Sequence, residues 1–249
     1  MLKTLTGVAL ATTFLAAAPA FGDPVAVRFT EGITHAFPVL RSAAGEKIAQ
    51  GELVQIPRGD RVESRLTFKF RDGSLYDERV VFSQRDVFTL LSYSLVQRGP
   101  SFPETLDATI DQETGRYVVR HKADDDSEEE VLKGKIEVPA DTYNGLLGTL
   151  MKNLPSGASA TVQVVAFTPR PRFVKMLLTP AAEDTVFMGD AAVPATKFLV
   201  RPQLGLFASL LVADLPDIKA WILGGDAPAF LKFEGPLYFM GPIWKIEWS

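Results

Sequence analysis

The chain has 249 residues, a formal net charge of −4, no cysteine and two histidines, His35 and His121. The absence of cysteine excludes disulfides, thiol nucleophiles, iron–sulfur clusters, cysteine-bearing zinc sites and a lipidated N-terminal cysteine. The mild acidity argues against nucleic acid, whose binders need a basic face, and 47% hydrophobic against 22% charged residues supplies a substantial core rather than a disordered chain.

Residues 1–20 read as an export signal. Lys3 makes a short positive start, Leu5 to Ala17 is apolar or small and uncharged, and Ala18-Pro19-Ala20 is the small-x-small pattern at which such signals are cut. The stretch falls short of the roughly 18 residues a spanning helix needs. Cleavage after Ala20 is therefore expected over an anchor, with Gly22 as the second choice. Removing one lysine and no acid takes the net charge from −4 to −5. The rest, 21–249, is expected to be a single β-rich domain in a bacterial periplasm, with no transmembrane segment after signal removal. A chain of this size can build its core without disulfides.

From there the pattern is two-residue alternation broken by turn chemistry. In Arg65–Arg71, Leu66, Phe68 and Phe70 face one way; Arg65, Thr67, Lys69 and Arg71 face the other. Asp72-Gly73-Ser74 is a hairpin turn, followed by strands over Leu75–Ser83 and Val87–Gln97. The second is apolar on both faces near Leu90 and Leu91, which predicts a central place or a cavity wall. Leu106–Asp111 and Arg116–Arg120 form another hairpin, and Glu129–Val138 closes the first half.

The period then changes. Across Asp141–Leu154, Tyr143, Leu146, Leu147, Leu150, Met151 and Leu154 fall on one helical stripe, with Asp141 as N-cap and Pro155 as stop. Gly145 and Gly148 lie opposite, each costing about 1 kcal/mol relative to alanine. Two readings stand: a marginal surface helix held by its apolar stripe, or a smooth face that lets a backbone or a ligand come close.

Alternation returns in Ala160–Thr168 and Phe173–Thr179, around a Pro169–Arg172 turn. Thr185–Met188, Thr196–Arg201, Leu204–Ala213, Ile218–Leu223, Phe230–Glu234 and Ile243–Trp248 follow as strands. In the last, Trp244, Ile246 and Trp248 share one face. Gly235-Pro236 and Gly241-Pro242 punctuate this end.

The segment Val138-Pro139-Ala140-Asp141-Thr142-Tyr143-Asn144-Gly145-Leu146-Leu147 enters one helix between two strand-rich halves. With the closing Ile218-Lys219-Ala220-Trp221-Ile222-Leu223, Ala227-Pro228 and Gly235-Pro236, it resembles a bacterial family of uncharacterised exported envelope proteins. The resemblance covers residues 65–249. It implies a mainly β fold: a strongly curved antiparallel sheet, half barrel or barrel-like, wrapped on one central helix, similar to the lipoprotein-carrier half barrels of the periplasm. It carries over no catalytic residue.

Reactive groups are sparse. The acidic run Asp124–Glu130 lacks the ordered spacing and turn glycine of a calcium loop and reads as a solvated hairpin tip. Gly157-Ala158-Ser159-Ala160-Thr161 lacks the last glycine of a nucleophile elbow. Asp77 and Glu78 alternate faces and cannot address one substrate together. Arg58-Gly59-Asp60 is a turn. No metal, cofactor or catalytic residue is expected.

Val87–Val96, Val162–Phe167 and Trp221–Leu223 carry large apolar groups on both faces, so either a second layer covers them or a concave face holds a lipid-like ligand. The leading expectation is a non-enzymatic periplasmic protein binding an apolar or amphipathic envelope component, a lipid or lipoprotein-like ligand. Phe68, Phe70, Tyr93 and Trp221 are the expected lining residues. The alternatives are an assembly factor that binds another envelope protein through the Arg170–Arg172 turn or an aromatic C-terminal edge strand, and a hydrolase built on His35 or His121.

Overall fold

A computed structural model describes residue 22 and residues 24–123, 126–203 and 217–248. The expected signal at 1–20, the expected strand Leu204–Ala213 and Asp124–Asp125 of the acidic run lie outside the described residues.

The described chain runs through β1 (Thr34–Ala36), β2 (Pro38–Arg41), β3 (Lys47–Arg58), β4 (Arg61–Phe70), β5 (Leu75–Gln84), β6 (Phe88–Arg98), β7 (Thr105–Asp111), β8 (Arg116–Lys122) and β9 (Glu130–Lys135). A short helix α1 (Leu147–Asn153) precedes β10 (Ala160–Thr168), β11 (Arg170–Met188), β12 (Ala191–Gln203), β13 (Ile218–Leu223), β14 (Ala229–Gly235) and β15 (Trp244–Trp248). The fold is mainly β, one large antiparallel sheet of 15 strands with one helix.

Turn chemistry makes the hairpins. At Asp72-Gly73-Ser74, Gly73 takes φ +88°, and the Ser74 N–H donates to Asp72 Oδ1 at 2.9 Å, an aspartate turn at a left-handed position that glycine occupies without strain. The expected Phe173–Thr179 and Thr185–Met188 are one strand in the structure, β11. A register shift between Pro180 and Ala182 absorbs the irregularity, as a bulge does.

The sheet order is β10-β11-β12-β13-β14-β15-β2-β3-β4-β5-β6-β7-β8-β9, with β1 pairing β3 off this path. The sheet is not closed or strongly curled, which corrects the barrel-like expectation. One reason lies at β10, whose free edge is already occupied. Tyr143 N–H donates to the Gln163 carbonyl, and Gln163 N–H donates to the Asp141 carbonyl, both at 2.8 Å. The Asn144 side chain bonds both the N–H and the carbonyl of Val165. An edge strand satisfied by a connecting segment needs no strand partner. The C-terminal strand, in contrast, is no edge: β15 lies between β14 and β2.

The helix is shorter than its apolar stripe predicts. Gly145 takes φ +67°, and α1 starts after Leu146, which makes no side-chain capping bond. Asp141 is no N-cap; its carboxylate accepts from the Gln163 side chain at 2.8 Å and from the Gly22 N–H at 2.9 Å. Tyr143, Leu146, Leu150 and Met151 are still buried, so the stripe marks a core-facing segment that only partly coils. The glycines permit close approach. A Cβ at Gly145 would lie 2.3 Å from Val80 Cγ2, and one at Gly148 would lie 3.0 Å from the Phe230 ring.

The main core gathers Leu40, Phe68, Phe82, Phe88, Leu90, Tyr143, Leu150 and Leu178 into one cluster. Each large apolar side chain buried this way contributes about 1.5–3 kcal/mol.

Candidate functional site

The core does not fill the space between the sheet, α1 and the segment 28–34. A cavity of about 1460 Å³ lies there, larger than the roughly 300–1,000 Å³ of common small-molecule sites. Leu53, Leu66, Leu95, Phe167, Met176 and Phe233 supply apolar wall from six strands. Tyr93 of β6 stacks on Phe167 of β10 with ring centres 6.3 Å apart, so strands distant in the sheet order meet at this wall. Ile33, Phe239 and Met240 also line the cavity and are 82%, 55% and 61% exposed; the cavity therefore reaches the surface beside them.

The segment 28–34 is tied to the end of α1. Asn153 Oδ1 accepts from the N–H groups of Arg28 and Phe29 at 2.8 and 2.7 Å, and the Arg28 guanidinium donates to the Leu154 carbonyl at 2.9 Å. Lys152 forms an ion pair with Glu31, whose carboxylate also accepts from Gln55 Nε2 at 3.0 Å. Asn153, Lys152, Gln55 and Glu31 are all buried or half-buried, so these bonds fix one wall of the cavity.

Apart from the Glu31–Lys152–Gln55 group, a second polar cluster, centred on Glu78, faces the cavity. Tyr76, Glu78 and Val80 share the inner face of β5, opposite Asp77 and Arg79 on the outer face. The Tyr93 hydroxyl donates to Glu78 Oε1 at 2.9 Å, and Tyr76 hydrogen bonds the same carboxyl. Glu78 is half-buried by solvent contact although protein surrounds it, because the contact it keeps is with the cavity. Burial pushes its carboxyl above the usual glutamate range, against the opposing pull of the two phenol hydrogen bonds. Burial, together with the charge of Glu78, pushes Tyr76 and Tyr93 well above the ordinary phenol value.

Of the four residues expected to line a binding site, Tyr93 borders this cavity. Phe68 is fully buried beside Gly51, with its ring 6.3 Å from Tyr76. Phe70 belongs to an aromatic group with Phe102 and Trp244, each 5.4 Å away. Trp221 sits in a separate small cluster with Ala195 and Leu231. Its indole N–H donates to Asp184 at 2.9 Å, and Lys232 Nζ lies 4.7 Å above its ring. Glu78 had one sequence signal: it is the lone charge at the apolar parity of Tyr76, Val80 and Phe82.

The histidines are apart from this cluster. His35 is exposed and bonded to Glu52 at 2.9 Å, and His121 contacts Glu104. Among the described residues no group of three or more metal-ligating side chains comes together, and no helix is long and apolar enough to cross a membrane. Comparison with protein-family models, with curated proteins and with solved structures finds no match for this chain.

Proposed function

We propose that this chain is a non-enzymatic, exported binding protein that carries an apolar or amphipathic envelope component in its interior cavity. The observation that carries the reading is the cavity itself, about 1460 Å³ with mostly hydrocarbon walls and a polar cluster at Glu78. A chain-like ligand buries its methylenes against such walls at about 0.8 kcal/mol each, while the polar cluster receives its head. The export signal expected at residues 1–20 is what supports a ligand from the cell envelope. An assembly factor acting through the C-terminal strand has less support, since both edges of β15 are occupied.

The test is organic extraction and native mass spectrometry of the purified protein, followed by titration with a fluorescent fatty-acyl probe. Co-purified lipid or saturable probe binding is expected. Ser64 lines the cavity and is half-buried, so Ser64→Trp should fill part of the void and weaken the probe about tenfold with the fold intact. A clean apo mass with no probe binding overturns the reading.

A further inference from the structure

We propose that Glu78 is the head-group anchor of the cavity and selects amphiphiles whose head is a hydrogen-bond-donating cation, a primary or secondary ammonium. The inference rests on the carrier reading and deepens it.

The cluster is built to accept. A carboxylate offers about four lone-pair positions. The hydroxyls of Tyr93 and Tyr76 use part of that capacity, and the rest borders the cavity. Gly145 keeps the approach narrow on one side, where an added Cβ would come within 3.4 Å of Glu78 Oε2. A head group that brings N–H donors completes the set. A head that only accepts leaves it incomplete, which costs affinity in a site shielded from water.

Charge points the same way. The charged side chains that line the cavity are Glu31, Glu78, Glu104 and Asp226 against Arg28 and Lys152. Both cations are engaged, Lys152 with Glu31 and Arg28 with the Leu154 carbonyl. Burial and the two phenols act on the Glu78 carboxyl, and among the described residues no salt bridge reaches it. An ammonium supplies the missing counter-charge, whereas a carboxylate or phosphate head adds a like charge in a medium of low dielectric constant. From β6 the group facing Glu78 is Tyr93, from the connection before α1 it is Gly145, and on β5 it is Tyr76. Both phenols stay neutral, since their proton affinities lie above the ordinary phenol value. The titration that matters is therefore that of Glu78 itself.

Dodecylamine, dodecanol and dodecanoate share one chain and differ in the head. Calorimetric titration of the full chain with each, below micelle concentration, reads the head-group contribution directly. Dodecylamine is expected to bind about tenfold or more tighter than dodecanol, and dodecanoate weaker than either. The amine's advantage should grow as pH rises through the Glu78 titration, within the range where the amine stays protonated. Glu78→Gln should abolish that advantage and its pH dependence while dodecanol still binds. Tyr93→Phe, which removes one bond favouring the ionised carboxyl, should move the pH profile upward. Equal binding of amine and alcohol, or an amine preference that survives Glu78→Gln, overturns the anchor and leaves the carrier reading standing. Failure of all three amphiphiles to bind overturns both.

Discussion

Asp77 and Glu78 are consecutive residues whose carboxyls lie on opposite faces of β5, and their proton affinities move in opposite directions. Asp77 is on the outer face. Burial opposes its ionisation, but two hydrogen bonds from Arg65, at 2.8 and 2.6 Å, and the nearby Arg79 outweigh that and hold its carboxyl below the usual range. Glu78 is on the inner face, bonded by two phenols, and burial wins. The difference teaches that on a pleated strand the partner available on each face, rather than position in the chain, decides whether an acid shielded from solvent is a structural ion pair or an open functional group.

The strongest way to break the inner face is at Gly145, in the connection before α1. Gly145→Val would place a branched side chain at φ +67° against Val80, where even a Cβ falls 2.3 Å from Cγ2. A loss of about 3 kcal/mol or more is expected from strain and overpacking together, read by chemical denaturation. A denaturation midpoint equal to wild type would mean that the loop before α1 does not hold the inner face.

Glu78→Gln sharpens the electrostatic contrast. Because the native carboxyl has a raised pKa, the wild-type fold loses stability as pH rises from the ordinary glutamate value through the native one. The amide removes that loss, so the variant should gain about 1 kcal/mol on the alkaline side and nothing in acid. Thermal melts across pH would check it, and a uniform loss at every pH would contradict it.

Asp77→Asn should do the reverse. A lowered native pKa contributes stability that is present above the ordinary aspartate value and is lost as pH falls through the native one. The variant should cost about 1 kcal/mol at neutral pH, a modest figure because Arg65 is half exposed, and nothing in strong acid. Equal destabilisation at both pH values would show that the pair acts through packing instead. The smallest effect belongs to Arg79→Ala: this side chain is 57% exposed and 3.6 Å from Asp77, and its removal should shift stability by less than about 0.5 kcal/mol. A larger shift would assign it a share of the Asp77 pairing now given to Arg65.

Much of the fold was legible in short stretches. Arg65–Arg71 alternates cleanly because its strand separates a wet face from a dry one, and Asp72-Gly73-Ser74 announces its own turn. The helix was only half legible: a 3.6-residue stripe reports which side chains face the core, and Tyr143 does so without being helical. The site was less legible still. Phe68, Phe70 and Trp221 are apolar, and hydrophobicity alone does not separate a residue that faces a void from one that faces another side chain. Glu78 gave its signal by parity, as the one charge among inward-facing residues of β5.

By itself the sequence determined the strand content, the turn positions and the two-faced pattern of each strand, because these depend on neighbours one to four residues apart. It also set the absence of thiol chemistry. Only the tertiary structure decided that β10 is capped by Asp141–Asn144, that β15 is internal, and that the interior holds a cavity bordered by the Glu78 carboxyl. Those depend on which side chains meet across tens to hundreds of residues of chain, as Tyr93 and Phe167 belong to strands well separated in the sheet order, and local periodicity carries no record of such meetings.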